Sequence, residues 1–460
     1  MNAAGIVGWA VVMGAASCRA GRVTDDATPR LCAESVGSEL RAVVDVRRCP
    51  YGETLVGGGG NGDGPRSRGV RVRRLGIPGV VGCVVEPGNR RENRADRAGP
   101  EAVEAPQVGD RPCDGRRRRG DHEGVRRIPD RCTGHPDMHF RNGSVAIAYV
   151  AAVLLQLVDE DKVSLDDTIG RWVPQIPHAD EVTLGQLATM TSGYQDYVLG
   201  NDAFETTELT NPFKAWTTDE MLSYAVDKPL LYKPGTNWNY AHTNYVILGL
   251  ALEKITGKPV EDLLSERISK PLGLDNTVSD LTATIPEPAL HAYSSERRGI
   301  LNLPPDTPFY EETTGWNPSW SITHGAIQTS NIYDVEATGR KLFAGETLSK
   351  ESYETMTSTR LRGVARPVPG CATCMEMNER YTYGMGVVLT GDWIVQNPLF
   401  NGYAAVVGYL PQEKVSIAVA VTYEPEAFGP DGSYDNGGNP IFSRIAALMA
   451  PDHAPPIPRD

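Results

Sequence analysis

The stretch Phe140-Arg141-Asn142-Gly143-Ser144-Val145-Ala146-Ile147-Ala148-Tyr149-Val150, running on to Val158 and then to Leu165-Asp166-Asp167, decides how this chain reads. Apolar residues at Val150, Val153, Leu154, Leu157 and Val158 follow helical spacing, which predicts a buried helix from Ser144 to about Val158. Lys162 to Asp167 is a polar turn that closes it. A serine at a helix start has two readings. It is a favoured N-cap. It is also where a nucleophile gains from its own backbone N–H, aimed at a developing oxyanion from the positive end of the helix.

Working outward, Thr183 to Met190 reads as a short helix, Thr217 to Val226 as another with a threonine cap, and Tyr245 to Ile255 as an apolar helix closed by Gly257. Pro259 suits the first position of a helix running to Ile268. Strands come late: Tyr383 to Leu389, Trp393 to Gln396, Ala404 to Tyr409 and Val415 to Thr422 are β-branched or aromatic and bounded by turn residues. Pro440 to Met449 is a final amphipathic helix. Helices, then antiparallel strands, then a helix predict an α+β fold, an antiparallel β-sheet flanked by helices plus a mainly helical subdomain.

The composition narrows the function classes. Among 460 residues, 40% are hydrophobic and 22% charged, ordinary for a folded soluble protein. No apolar run approaches the length of a transmembrane helix. The net charge of -13 argues against nucleic acid as a partner. Eight cysteines are too few for a disulfide scaffold at this length. Cys371-Ala372-Thr373-Cys374 has zinc-ligand spacing without a second pair nearby, so it reads as a local disulfide or two free thiols.

The averages hide an internal shift. Up to His139 the chain carries 23 Arg and no Lys against 18 Asp+Glu, a balance of +5; the remainder carries 22 Lys+Arg against 40 Asp+Glu, or -18. Three readings of the first part stay open: a disordered arginine-rich arm for an acidic partner, a plain disordered tail, or translation out of the true frame of a GC-rich gene. Residues 1–72 and 87–136 are set apart on this ground. Between them, in 73–86, Leu75 to Gly82 looks like a first core strand through the family resemblance set out below. Residues 137–450 form the folded domain and 451–460 a Pro-rich tail. Gly5 to Ala16 is apolar but lacks the basic start of an export signal.

Taken together, these pieces resemble the serine β-lactamase and penicillin-binding-protein-like superfamily, in its class C β-lactamase, D-alanyl-D-alanine carboxypeptidase and esterase branch. Phe140 to Ser144 followed by the apolar helix and Leu165-Asp166-Asp167 is similar to the first motif. Thr191-Ser192-Gly193 resembles a Thr-Ser-Gly element, and Lys233-Pro234-Gly235 with Tyr240-Ala241-His242 resembles the second motif. Gly325 to Gly345, Gly384-Met385-Gly386 and Gly402-Tyr403 with Tyr409-Leu410-Pro411 continue in family order.

The resemblance implies acyl transfer from an ester or amide, or a cell-wall peptide, to Ser144 and then to water, with no cofactor and no metal. It implies Tyr240 as general base and puts Asn244, Gln396 and Asn397 on the substrate side; His242, by the ordinary chemistry of an imidazole, reads as a substitute proton carrier or as a capping or packed residue. It also implies work outside the cytoplasmic membrane, in export or at the cell envelope. Three departures stand against it. The family lysine of Ser-x-x-Lys, one helical turn from the serine, is Ile147 here. The third residue of Tyr-x-Asn is His242. The third motif reads Gln396-Asn397-Pro398, and Pro398 has no backbone N–H to offer. These departures leave two expectations: a weakened esterase or carboxypeptidase-like hydrolase, or an inactive relative that binds cell-wall peptide or a protein partner.

Overall fold

Two long runs, Tyr403-Ala-Ala-Val-Val-Gly-Tyr-Leu410 and Val415-Ser-Ile-Ala-Val-Ala-Val-Thr-Tyr423, are apolar at nearly every position, as strands covered on both faces must be. The computed structural model describes residues 40–48, 69–74, 83–88 and 135–456, apart from 280–281, 305–306, 322–327 and 436. Its strands are β1 (Leu40–Arg48), β2 (Gly69–Arg74), β3 (Cys83–Gly88), β4 (Phe140–Arg141), β5 (Val278–Ser279), β6 (Tyr293–Ser294), β7 (Glu311–Glu312), β8 (Gln328–Ser330), β9 (Thr382–Tyr383), β10 (Val388–Thr390), β11 (Trp393–Gln396), β12 (Leu399–Phe400), β13 (Tyr403–Leu410) and β14 (Val415–Tyr423). Its α-helices are α1 (Val145–Asp159), α2 (Leu184–Ala188), α3 (Asp202–Thr210), α4 (Thr218–Ser223), α5 (His242–Thr256), α6 (Val260–Leu264), α7 (Lys270–Leu272), α8 (Ile332–Ala337), α9 (Lys350–Met356) and α10 (Gly438–Met449).

The main sheet is antiparallel in the order β1-β14-β13-β11-β10-β9, with β12 also paired to β13. Alternation along β13 and β14 sorts two cores. Val406, Val415, Ile417, Val419 and Val421 face Ile441, Phe442 and Ile445 of α10. Ala405, Val407, Ala418 and Ala420 face the large core that holds α1. The helical part rests on recognisable caps. Thr183 with Gln186, and Thr217 with Glu220, form complete capping boxes, and Gly257 in the left-handed region ends α5.

The α+β expectation holds, with differences of local cause. The single strand foreseen over 383–389 is two strands, β9 and β10, because Gly386 turns at φ +74 between them. Leu40–Arg48, placed in a strandless segment by composition, pairs along its whole length with β14. β2 and β3 pair antiparallel on either side of 75–82, and that candidate core strand lies outside the described residues. The Pro-rich tail is anchored to the sheet, since Trp393 Nε1 donates to the His453 carbonyl at 2.7 Å.

Gly386 also fixes how closely the sheet approaches α1. A Cβ there would stand 2.5 Å from Ala151 Cβ and 3.0 Å from the Ile147 carbonyl oxygen. Gln396 Nε2 donates to the Gly386 carbonyl at 2.6 Å and clamps the turn. At the other side of the domain, the buried Glu208 lies within electrostatic reach of the half-buried Glu296, where α3 meets the turn before β13. Glu208 accepts from Asn401 Nδ2 at 3.2 Å, and Glu296 accepts from Ser294 Oγ at 2.8 Å. Burial first, then the neighbouring carboxylate, pushes Glu208 up to about 7. Burial likewise pushes Glu296 up to about 7.

Two outcomes are expected. Gly386→Ala lowers stability by about 3 kcal/mol or more in urea unfolding, from strain at positive φ plus the clash with α1, whereas Gly315→Ala, which meets nothing within 4 Å, changes it by less than about 0.5 kcal/mol. The glutamate pair has a signed pH dependence. Its folded pKa lies above the unfolded value, so its stabilisation is full below the ordinary glutamate range and is lost as pH rises through about 7. Glu208→Gln therefore gains on the wild type by about 2 kcal/mol between pH 5 and pH 8; denaturant midpoints at the two values check it.

Candidate active site

Ser144 sits at the N-terminal end of α1, where Gly143 at φ +48 turns the chain out of β4 and into the helix. It occupies the N-cap position, yet its side chain makes no capping hydrogen bond. Instead Ser144 Oγ lies 3.1 Å from the Tyr240 hydroxyl. The N-cap reading and the nucleophile reading therefore part here: the hydroxyl is turned toward another side chain rather than toward the helix. Twelve of the 15 residues of α1 are buried, and Ile147, one turn after Ser144, is wholly buried in the large core.

Tyr240 lies in the extended segment before α5. Its carbonyl accepts from Thr373 Oγ at 2.9 Å, and Thr373 belongs to the short ring closed by the Cys371–Cys374 disulfide. Of the two readings of that Cys pair, the disulfide is the one observed. Burial holds the Tyr240 phenol well above its usual range; the Ser144 bond offsets this in part, and the Asp196 carboxylate adds to it. Tyr240 is therefore a protonated phenol at neutral pH. Neighbouring Tyr245, Tyr381 and Tyr383 are pushed up by burial as well.

His242 is the first residue of α5 and is buried, with its ring 5.4 Å from that of Tyr240 in an edge-to-face arrangement. Its Nδ1 is 2.8 Å from Asp196 Oδ2, and its backbone N–H donates to Asp196 Oδ1 at 2.8 Å. Asp196 is itself buried and also accepts from the Leu199 N–H at 2.9 Å. Nothing in the spacing of the sequence marks Asp196, because its partner stands 46 residues further on.

The three residues expected on the substrate side separate. Asn244 is wholly buried; its Oδ1 accepts from Ser192 Oγ at 2.5 Å and its Nδ2 donates to the Ala241 carbonyl at 3.2 Å. Both ends of its amide are thus engaged inside the fold. Gln396 is buried on β11 and holds the Gly386 turn. Asn397 is half-buried at the break between β11 and β12, beside Pro398, whose carbonyl accepts from the Ala405 N–H at 3.2 Å. His324-Gly325, a further candidate from the sequence, lies outside the described residues. Among the described residues, no group of three or more His, Cys, Asp or Glu is placed to hold a metal ion, and no helix is long and apolar enough to cross a membrane.

Residues 70–436 match the family described as Beta-lactamase. Penicillin-binding protein 4 of Amycolatopsis lactamdurans is 33% identical over 159 residues, covering 34% of this chain and 38% of that protein. Esterase EstB of Burkholderia gladioli is 29% identical over 160 residues, covering 32% of this chain and 41% of that protein. A D-stereospecific amidohydrolase from Streptomyces superposes with a TM-score of 0.55 at 25% identity, covering 68% of this chain and 87% of that one. The chain spans about half, or less, of the length of the curated relatives it matches.

The engaged amides of Asn244 and Gln396 give a direct expectation. Asn244→Ala and Gln396→Leu each lower stability by about 1–3 kcal/mol, since each leaves a buried partner without its hydrogen bond. Thermal and urea unfolding read the loss; a free substrate-facing amide would leave both midpoints unmoved.

Proposed function

The chain belongs to the Beta-lactamase family, whose relatives here include esterases, carboxypeptidases and amidohydrolases, and from that membership we propose that it is a serine hydrolase working by acyl transfer through Ser144 on an ester or amide. The observation that carries the proposal is the Ser144 hydroxyl, turned from its capping role and 3.1 Å from the Tyr240 phenol at the start of a buried helix. In the reaction, Ser144 Oγ attacks the acyl carbon, its backbone N–H at the positive helix end faces the oxygen that gains charge, and water later releases the acid.

The activity is a weakened one. Ile147 neither accepts nor donates a proton where the family motif has its lysine, and Tyr240, held protonated by burial, is no resting base. Loss of a general base removes roughly 10²- to 10⁴-fold in rate. Reactive small esters and amides suit such a site better than peptides or β-lactams do. The wholly buried Ile147 favours, as second reading, a protein that binds cell-wall peptide or a protein partner without turning it over. The disulfide beside Tyr240 fits a place of work outside the cytoplasm.

Intact mass after exposure to a fluorophosphonate tests the proposal. One adduct is expected on the wild type and none on Ser144→Ala. Ile147→Lys is expected to label faster, by roughly 10²-fold or more, at a cost in stability from placing an ammonium in the apolar core. Folded wild-type protein with no adduct would leave the binding reading in its place.

A further inference from the structure

We propose that the Asp196–His242 pair is the base of this site and that Tyr240 relays the Ser144 proton to it. This rests on the reading of Ser144 as the acylated residue. Tyr240 sits against Ser144 but keeps its own proton, so it takes up a second one only by giving the first away. The side chain next to it that accepts a proton is His242, ring against ring at 5.4 Å. His242 Nδ1 faces the Asp196 carboxylate at 2.8 Å, which fixes the tautomer with Nδ1 protonated and Nε2 bearing the lone pair. Asp196 is held rigidly in turn by the N–H groups of Leu199 and His242. It acts through His242 and is a positioning residue.

The step balances. As Ser144 Oγ bonds to the acyl carbon, the carbonyl π pair moves onto its oxygen. The Oγ proton passes to the Tyr240 phenol oxygen, and the phenol's own proton passes to His242 Nε2, directly or across one water. The imidazolium is stabilised by the Asp196 carboxylate. On collapse, the C=O bond re-forms, the bond to the leaving group breaks, and a proton returns through the same phenol to the departing alcohol or amine. The pair thereby does from α5 what a lysine at position 147 would do from α1.

The titratable groups around this relay come from every element packed on it. Asp196 and Tyr197 come from the segment after α2, with the Tyr197 ring 5.8 Å from His242. Tyr245 lies within α5, and Tyr381 and Tyr383 lie at β9, with the Tyr383 ring 6.5 Å from Tyr240. Trp320, 6.4 Å from His242, closes the far side without a titrating group. All four tyrosines are pushed up by burial and stay protonated from pH 5 to pH 9.

The Ser144 labelling rate with a fluorophosphonate, followed by intact mass from pH 5 to pH 9, tests the relay. The wild-type rate is expected to rise with pH through a single inflection to a plateau, a profile that needs no variant and is read first. His242→Gln is expected to lose the inflection and about 100-fold in plateau rate. Asp196→Asn keeps one oxygen, which can still face the Leu199 N–H and His242 Nδ1, but loses the charge and the second acceptor, which takes the His242 backbone N–H. It is expected to move the inflection to lower pH and to slow labelling at least about tenfold. A helix cap and nothing more would leave that profile unmoved, whatever happened to the melting temperature, and would overturn the proposal. So would Ser144-dependent labelling with a flat wild-type profile, or an inflection that survives in folded His242→Gln. No Ser144-dependent adduct at all overturns the hydrolase reading and the relay together, and the Ser144→Ala control tells that result apart from the others.

Discussion

Helix α1 is enclosed on every side, and that enclosure governs the rest of the molecule. A helix buried all round must be apolar all round, and it takes its place only when each neighbour supplies a matching surface. The small face at Ala148 and Ala151 meets the Gly386 turn at backbone distance, and Gln396 reaches across from β11 to hold that turn. Tyr149 hydrogen-bonds Thr338 at 2.8 Å on another side. Ser144, at the end of so confined a rod, has its direction set by the whole core rather than by its own turn.

The same enclosure explains the electrostatics of the cleft. An ammonium one turn into α1 needs partners to offset its desolvation. With Ile147 there, that cost disappears and the helix packs as a plain hydrophobic element. The phenols nearby then answer to burial, and each moves away from ionisation. Stability and chemistry pull opposite ways at position 147, and this chain has the residue that favours packing. The titratable pair beside Tyr240, His242 and Asp196, lies on α5 and the segment after α2.

Much of this was legible in the sequence wherever a local rule applied. Helical spacing located α1, a threonine cap marked α4, the short helix read over 183–190 covers α2, and β-branched runs located β11, β13 and β14. Ser144 and Tyr240, named from their motifs, do meet in space. What failed was non-local. The break between β9 and β10 falls at Gly386, inside the stretch read as one strand; the approach of α1 that requires a glycine there is what no window of the strand sequence contains. α3, α8 and α9 are short and weakly periodic, held by tertiary contacts rather than by pattern. β1 is an edge strand whose composition resembles its Arg-rich surroundings, and only its pairing with β14 defines it. Asn244 and Gln396 occupy motif positions, yet their amides are spent on Ser192 and Gly386. Asp196 carries no spacing signal because its function comes from a partner in another element.

The Cys371–Cys374 ring does more than close a loop. Thr373, inside it, holds the carbonyl of the residue whose phenol faces Ser144. The posture of the cleft is thereby tied to the oxidation state of its surroundings. The same polypeptide made in a reducing cytosol and in an oxidising compartment is two preparations with differently braced sites, and a thiol reductant in a storage buffer becomes a variable of the assay rather than a protectant.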